Sequence, residues 1–198
     1  LTRAGSHYNS REEKEMQKRA NISKAFKRKY PEQVVLVTTR KPDGGANVMA
    51  VGWVAIASSV PSMFVLGIDG GAYTYDLIKK TKEFVVAFPN EKMAKEVLCV
   101  GTRHGHKCDK ITASGLVVQA ADKVKAPLVA NAVANFECNL VAIHRPGDCP
   151  LIIGKVVAAH ENVIAGVRRL YTVAAGYKMA GVRPLVKQKT VHKKASAL

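Results

Sequence analysis

The chain is predicted to be mainly β, an antiparallel, Greek-key-like barrel with helices packed on its outside. Three observations carry that prediction. Short segments rich in β-branched and aromatic residues recur along residues 33–160, with Gly, Pro, Asp and Asn turn signals between them about every 8–12 residues. The links between the early segments are too short for parallel crossovers, which need roughly a dozen residues. Helical periodicity is confined to two or three places between the strands, so a helical bundle and a doubly wound sheet both fit worse.

The elements follow in order. Residues 11–29 read as an amphipathic helix, with Met16, Ala20, Phe26 and Tyr30 spaced between charged residues and Pro31 as the stop. Residues 33–40 (QVVLVTTR) form a strand, and the Gly-rich turn 41–46 leads into a second, apolar strand over residues 48–56 with Trp53 in its middle. Small residues (Ala50, Gly52, Ala55, Ala57) alternate there with larger ones, which suits either plain core packing or a flat ligand lying against the backbone. Residues 62–68 give a third strand, so the first half reads as a meander. Asp69-Gly70-Gly71-Ala72-Tyr73-Thr74 then runs into a short helix with Thr74 as its expected N-cap, an arrangement that is either a capped turn or a phosphate site. Residues 83–88 (EFVVAF) form a strand. Asn90 is the expected cap of a helix with Met93, Val97 and Val100 on one face, and residues 101–110 form a polar loop. Residues 127–134 are a connection of undefined form, residues 135–144 and 151–160 the last clear strands, and the pattern fades beyond Glu161.

At 198 residues, 47% of them hydrophobic, the chain has room for one proper core. Three segments are expected: a basic N-terminal segment with the helix (1–30), the barrel domain (31–160), and a basic C-terminal extension (161–198) packing on the barrel or on a partner subunit. The formal net charge of +16 sits in the flanks. Nine Lys/Arg oppose three Glu in residues 1–30, and eight oppose one Glu in residues 161–198. Such flanks favour polyanion contact, but nucleic-acid binding on the barrel predicts aromatics interleaved with cations on exposed strands, and the core strands carry few cations. No apolar run approaches the roughly 20 residues that span a bilayer. The four cysteines (Cys99, Cys108, Cys138, Cys149) form no CxxC pair, which suits reduced thiols and a cytoplasmic location.

His104, His106 and Cys108 make an H-x-H-x-C run that could share a metal ion if the segment is extended, with Cys99, Cys138, Cys149 or Asp109 as a fourth ligand. The neighbouring Arg103, Lys107 and Lys110 offer another reading, an anion clamp. There is no GxSxG, no phosphate-binding GxxxxGK[ST] and no HExxH, and acids are sparse in residues 31–160. An enzyme built this way would leave the chemistry to a cofactor.

Four blocks in register make the chain similar to the flavin reductase-like family, whose fold is the FMN-binding split barrel, and within it to the flavoredoxin type. The first is Asn47-Val48-Met49-Ala50-Val51-Gly52-Trp53-Val54 followed by Pro61. The second is Tyr73-Thr74 with Leu77-Ile78 and Glu83-Phe84-Val85-Val86. The third is Gly101-Thr102, Gly105 and Asp109-Lys110, with Gly115-Leu116 after it. The fourth is Glu137-Cys138, Gly147-Asp148, Leu151 and Gly154-Lys155-Val156-Val157. The match spans residues 33–160.

The resemblance implies a homodimer that binds FMN near the subunit interface. Asn47, Met49, Ala50, Val51 and Trp53 are then expected around the isoalloxazine, mainly through backbone groups. Tyr73, Thr74, Thr102, His104, Gly105 and Lys110 are expected around the ribityl chain and phosphate. The expected activity is an FMN-dependent oxidoreductase that takes electrons from NAD(P)H and passes them to a flavin, a ferric chelate or a protein, with no side chain as general acid or base. A flavin carrier without nicotinamide chemistry is the alternative, and a nucleic-acid-binding barrel a more distant one. The chain departs from the family pattern at Ala50 (often Thr), His104 (often Ser), Ile111 (often aromatic) and Cys149 (often His).

Overall fold

The computed structural model describes residues 17–184. Its centre is a seven-stranded antiparallel sheet in the order β3-β2-β6-β9-β10-β5-β4. These strands are β2 (Val35–Arg40), β3 (Ala46–Val51), β4 (Val54–Ser59), β5 (Ser62–Gly67), β6 (Glu83–Phe88), β9 (Ala134–His144) and β10 (Leu151–Glu161). The edges of this sheet, β3 and β4, are consecutive in the chain, with only Gly52 and Trp53 between them. The sheet therefore has to curl until its two edges approach at that point, which makes it a split barrel. Two bulges in the β9–β10 ladder, one leaving Val141 of β9 unpaired and the other Val157 of β10, add to the bend that the curl requires.

The break at Gly52-Trp53 corrects the expectation of one strand over residues 48–56. The segment pairs first with β2 and then with β5, at opposite edges, so the early meander is interrupted there. The apolar run gave no sign of it because Val54, Ala55 and Ile56 continue the apolar character of β3, although no residue of β4 is buried.

The barrel interior holds Val35, Val37, Phe64, Leu66, Phe84, Val86 and Ile152. Phe64 meets Phe88 and Phe136 there edge to face, and Phe88 and Phe136 are tilted against each other, with ring centroids 5.0–6.1 Å apart. A second cluster lies outside the sheet, where Leu36 and Val48 pack against Met93 and against Val97 and Val100 of α3 (Ala94–Gly101). Strand β2 is consequently buried on both faces from Val35 to Thr39, which is why its sequence reads as a continuous run.

Helix α2 (Tyr73–Thr81) crosses between β5 and β6, and the short α4 (Lys110–Ser114) follows α3. Two expected caps are corrected. The N-cap of α2 is Ala72, with Thr74 buried as the second residue of the helix, and the N-cap of α3 is Met93, while Asn90 accepts from the amide of Lys92 in the turn before it. The sequence also gave no hint of α4, whose five residues are capped by Asp109.

The N-terminal helix is corrected too. Residues 1–16 lie outside the described residues, and the helix found is α1, Ile22–Phe26, with no buried residue. Ile22 and Phe26 are 74% and 70% exposed, so the fourfold apolar spacing meets no core among the described residues.

Short strands complete the fold. β7 (Val118–Gln119) pairs with β8 (Leu128–Val129), and β8 alone falls in the connection over residues 127–134. Past Glu161, where the pattern had faded, β11 (Leu170–Ala174) and β12 (Lys178–Gly181) form a hairpin that joins β1 (Glu32–Gln33) in a three-stranded sheet. Leu170 and Met179 anchor that hairpin on the outer cluster. Among the described residues, no helix is long and apolar enough to cross a membrane.

Candidate functional site

Strand β3 leaves the barrel edge beside the start of α2, the end of α3 and the tip of the β11–β12 hairpin. Two clefts open along it. The first, about 590 Å3, is walled by Met49 to Trp53 on one side, by Val97, Leu98 and Gly101 of α3 on another, and by the hairpin. The second, about 410 Å3, lies between the start of α2 and residues 100–110. Met49, Asp69, Gly101 and Thr102 border both, so the two clefts form one continuous site.

Small residues make the first cleft possible. A Cβ at Gly101 would sit 3.2 Å from the Cβ of Ala50, so α3 approaches β3 only because both positions are small. Likewise a Cβ at Gly67 would sit 3.2 Å and 3.3 Å from Cβ and Cε3 of Trp53, whose ring therefore lies against bare β5 backbone and stays 58% exposed. The result is a slot bounded by main chain, one indole and short side chains, which suits a flat ring.

The second cleft is cationic. Lys110 lines it although the residue is 95% buried, and among the described residues its ammonium has one hydrogen-bond partner, the Val100 carbonyl, at 2.9 Å. Burial pushes the pKa of this amine down. Arg103 and the imidazoles of His104 and His106 share the wall, with Tyr73 edge-on to His106 at 6.2 Å. The acid on this wall, Asp69, is engaged by the amide of Gly71 at 2.7 Å. Among the described residues, no side chain caps the first turn of α2, which begins in the same cleft. A buried ammonium with unused donors beside uncapped helical N–H groups is an arrangement for an anion.

The structure brings ten of the eleven expected residues to these walls. Met49, Ala50, Val51 and Trp53 border the first cleft, and Tyr73, Thr74, Thr102, His104, Gly105 and Lys110 the second. Asn47 stands behind the wall. Its buried amide donates to Thr39 Oγ1 (3.1 Å) and Thr74 Oγ1 (3.0 Å), and its Oδ1 lies 2.0 Å from where a Cβ of residue 105 would be. Asn47 thus ties β2, β3 and the start of α2 together, and its close approach requires glycine at 105 in the turn after α3.

The metal reading of His104, His106 and Cys108 assumed an extended segment. Residues 102–109 are instead a turn, closed by Lys107 N–H to the His104 carbonyl (3.0 Å), so alternate side chains do not converge. Asp109 is occupied as the cap of α4, where the Thr112 hydroxyl and the amides of Thr112 and Ile111 hold its carboxyl below the usual range. Among the described residues, the His, Cys, Asp and Glu side chains that do converge are Asp122, Glu137 and His160. Both oxygens of Glu137 already accept hydrogen bonds there, from three backbone amides and His160.

Sequence reasoning missed the outer wall of the first cleft. Lys29 and Glu32, paired at 2.6 Å, contribute to it, as do Cys149 and the hairpin residues Gly176 and Tyr177. Burial, with Asp148 and Asp69 nearby, raises the pKa of the Cys149 thiol. A Gly-Tyr pair between two short strands was the available signal for the hairpin.

Known proteins give a consistent picture. The family model described as "Flavin reductase like domain" matches residues 27–178. The chain is 37% identical over 129 residues to an uncharacterised protein of Pyrococcus abyssi, covering 65% of this chain and 73% of that one. It is 30% identical over 127 residues to a flavin reductase of Pseudomonas putida, covering 64% of this chain and 71% of that one. Among solved structures, the flavoredoxin of Desulfovibrio vulgaris (Miyazaki F) superposes with a TM-score of 0.73 at 21% identity, covering 82% of this chain and 93% of that one.

Proposed function

The chain belongs to the flavin reductase-like family, and from that membership we propose that it is an FMN-binding oxidoreductase that takes electrons from NAD(P)H and passes them to a flavin, a ferric chelate or a protein. The observation that carries this reading is the pairing of a flat, main-chain-lined slot with a cationic chamber on one continuous site. A flavin mononucleotide has the same two parts, a planar ring and a phosphate. The residues fit it. Small side chains at Ala50 and Gly101 leave room for the ring, and Lys110 keeps a buried ammonium available for the phosphate.

In this reading Met49, Ala50, Val51 and Trp53 hold the ring, and Lys110, Thr102, His104, Gly105 and the start of α2 hold the phosphate. Asn47 positions Thr74 and the turn through Gly105. FMN supplies hydride acceptance and electron transfer when bound. The protein contributes orientation, electrostatics and exclusion of water. Among the described residues, the acids that border the slot are Glu32, paired with Lys29, and Asp69, engaged by the Gly71 amide, which suits residues that bind without exchanging protons. Cys149 stays a neutral thiol. The proposed assembly is a homodimer, supported by the exposed outer face of β4, where Ile56 is 76% exposed.

Anaerobic addition of NADH or NADPH to the FMN-loaded protein tests the activity. Bleaching of the visible flavin bands at a rate that saturates with donor is the expected result. A flavin that stays oxidised with both donors would reduce the reading to a carrier, and failure to bind FMN would remove both.

A further inference from the structure

The tip of the β11–β12 hairpin forms the wall of the first cleft that faces away from β3, and nothing in the cofactor reading uses it. Tyr177 stands at this tip with φ of +56°, next to Gly176 at +75°. An aromatic residue in the left-handed region is strained, and the turn could have taken glycine or asparagine there at lower cost. Its ring is 67% exposed yet borders the cleft. The strain is therefore spent on a side chain that makes no core contact.

The base of the hairpin is held firmly. Glu91 bridges it, with Arg168 Nε at 3.2 Å and Arg183 Nη1 at 3.1 Å, and Leu170 N–H donates to the Pro89 carbonyl at 2.9 Å. Arg169 lies over the Phe88 ring at 3.6 Å, and β1 pairs with β11. The tip is thus a fixed wall, with the paired Lys29 and Glu32 beside it.

We propose that Tyr177 is the platform on which a second planar heteroaromatic ring, brought by the redox substrate, is held opposite the β3 side of the cleft. This rests on the flavin reading above, since the cofactor ring takes the β3 side. The shared chemistry is a flat nitrogen heterocycle, and it has two sources, a nicotinamide or a free acceptor flavin. Stacking on the phenol holds either one, and the positively charged oxidised nicotinamide gains further from the ring face.

The test uses the FMN-loaded protein, with NAD+, NADP+ and riboflavin as separate titrants in calorimetry, so turnover is not needed. Tyr177→Gly should weaken at least one of them about fivefold to tenfold, leave the affinity for FMN unchanged, and leave the melting temperature level or higher because the left-handed strain is relieved. Tyr177→Phe should bind as the parent does. A loss confined to NAD+ and NADP+ assigns the platform to the donor, and a loss confined to riboflavin assigns it to the acceptor. Three results overturn the proposal: unchanged binding of all three titrants, an equal loss of FMN affinity, or a lowered melting temperature that marks Tyr177 as a structural prop. If the parent protein takes up no FMN, the underlying reading fails first, and that outcome is distinct from these.

Discussion

Replacing Gly105 by alanine puts a methyl carbon where Asn47 already has its amide oxygen. The new Cβ would lie 2.0 Å from Asn47 Oδ1 and 3.2 Å from Tyr73 Cδ1, against a normal carbon–oxygen contact of about 3.3 Å. Something must move by more than an ångström. Asn47 resists, because swinging it away breaks its bonds to Thr39 and Thr74 and leaves buried hydroxyls without that donor. The turn through residues 102–109 is held largely by contacts within itself, such as Lys107 N–H to the His104 carbonyl, so it yields as a unit. Overpacking of this kind costs about 1–3 kcal/mol. Here most of that cost should appear as displaced phosphate contacts, with little in global stability. An affinity loss of about 10–100-fold for FMN corresponds to roughly 1.4–2.7 kcal/mol. Quenching of flavin fluorescence gives Kd for FMN and for riboflavin, and a urea titration gives stability. FMN should lose at least about tenfold, riboflavin less than about threefold, and the urea midpoint should shift only slightly. Unchanged FMN affinity with a clear fall in stability would refute the reasoning, since Asn47 would then have yielded and the turn would not position the phosphate.

Three further outcomes follow from the same geometry. Lys110→Met should weaken FMN more than riboflavin, and equal losses would place that ammonium away from the phosphate. In the parent, burial lowers the Lys110 pKa, so FMN affinity should decline as pH rises through a value below the 10.5 of a free lysine, and the decline should be absent in Lys110→Met. Glu137→Gln should cost about 1–3 kcal/mol in urea unfolding, because a fully buried carboxylate loses matched donors. Burial alone would raise the Glu137 pKa, but His160 and the amides of Asp122, Lys123 and Val124 outweigh it and hold the pKa below 4.5. Its stabilisation is therefore complete above that value and lost as pH falls through the depressed one, and the gap between parent and variant should close only there. A gap that closes at neutral pH would contradict this. Gly154→Ala should destabilise by about 1–3 kcal/mol, since its Cβ would meet the buried Phe84 ring at 2.3 Å, with FMN affinity unchanged in the folded fraction.

Much of the barrel was legible because its strands are rich in β-branched residues and end at turns. Strand β6 falls on the residues expected, and β9 and β10 run one residue beyond. Legibility failed where packing, and not pattern, decides. The run from Val48 to Ile56 looks continuous, and only the closure of the sheet shows that Gly52-Trp53 turns the chain from one edge to the other. Helix α4 and strands β11 and β12 are five residues or shorter, too few for a period to register. The site divides in the same way. Its β3 and loop residues stand in motifs, whereas Tyr177 and the Lys29–Glu32 pair reach the cleft through a hairpin and an N-terminal segment that carry no motif. Asn47 was legible as a site residue, but its work as a tie behind the wall depends on Thr39, Thr74 and Gly105 meeting it in space.

The central claim is that the slot along β3 and the chamber at Lys110 together hold one flavin mononucleotide. Its most direct test is a parallel titration of the purified protein with FMN and with riboflavin, followed by flavin fluorescence. The account predicts saturable, stoichiometric FMN binding that is at least about tenfold tighter than riboflavin binding, the difference being the charge-assisted phosphate contacts. Equal affinity for the two would contradict the phosphate chamber, and binding of neither would contradict the site as a whole.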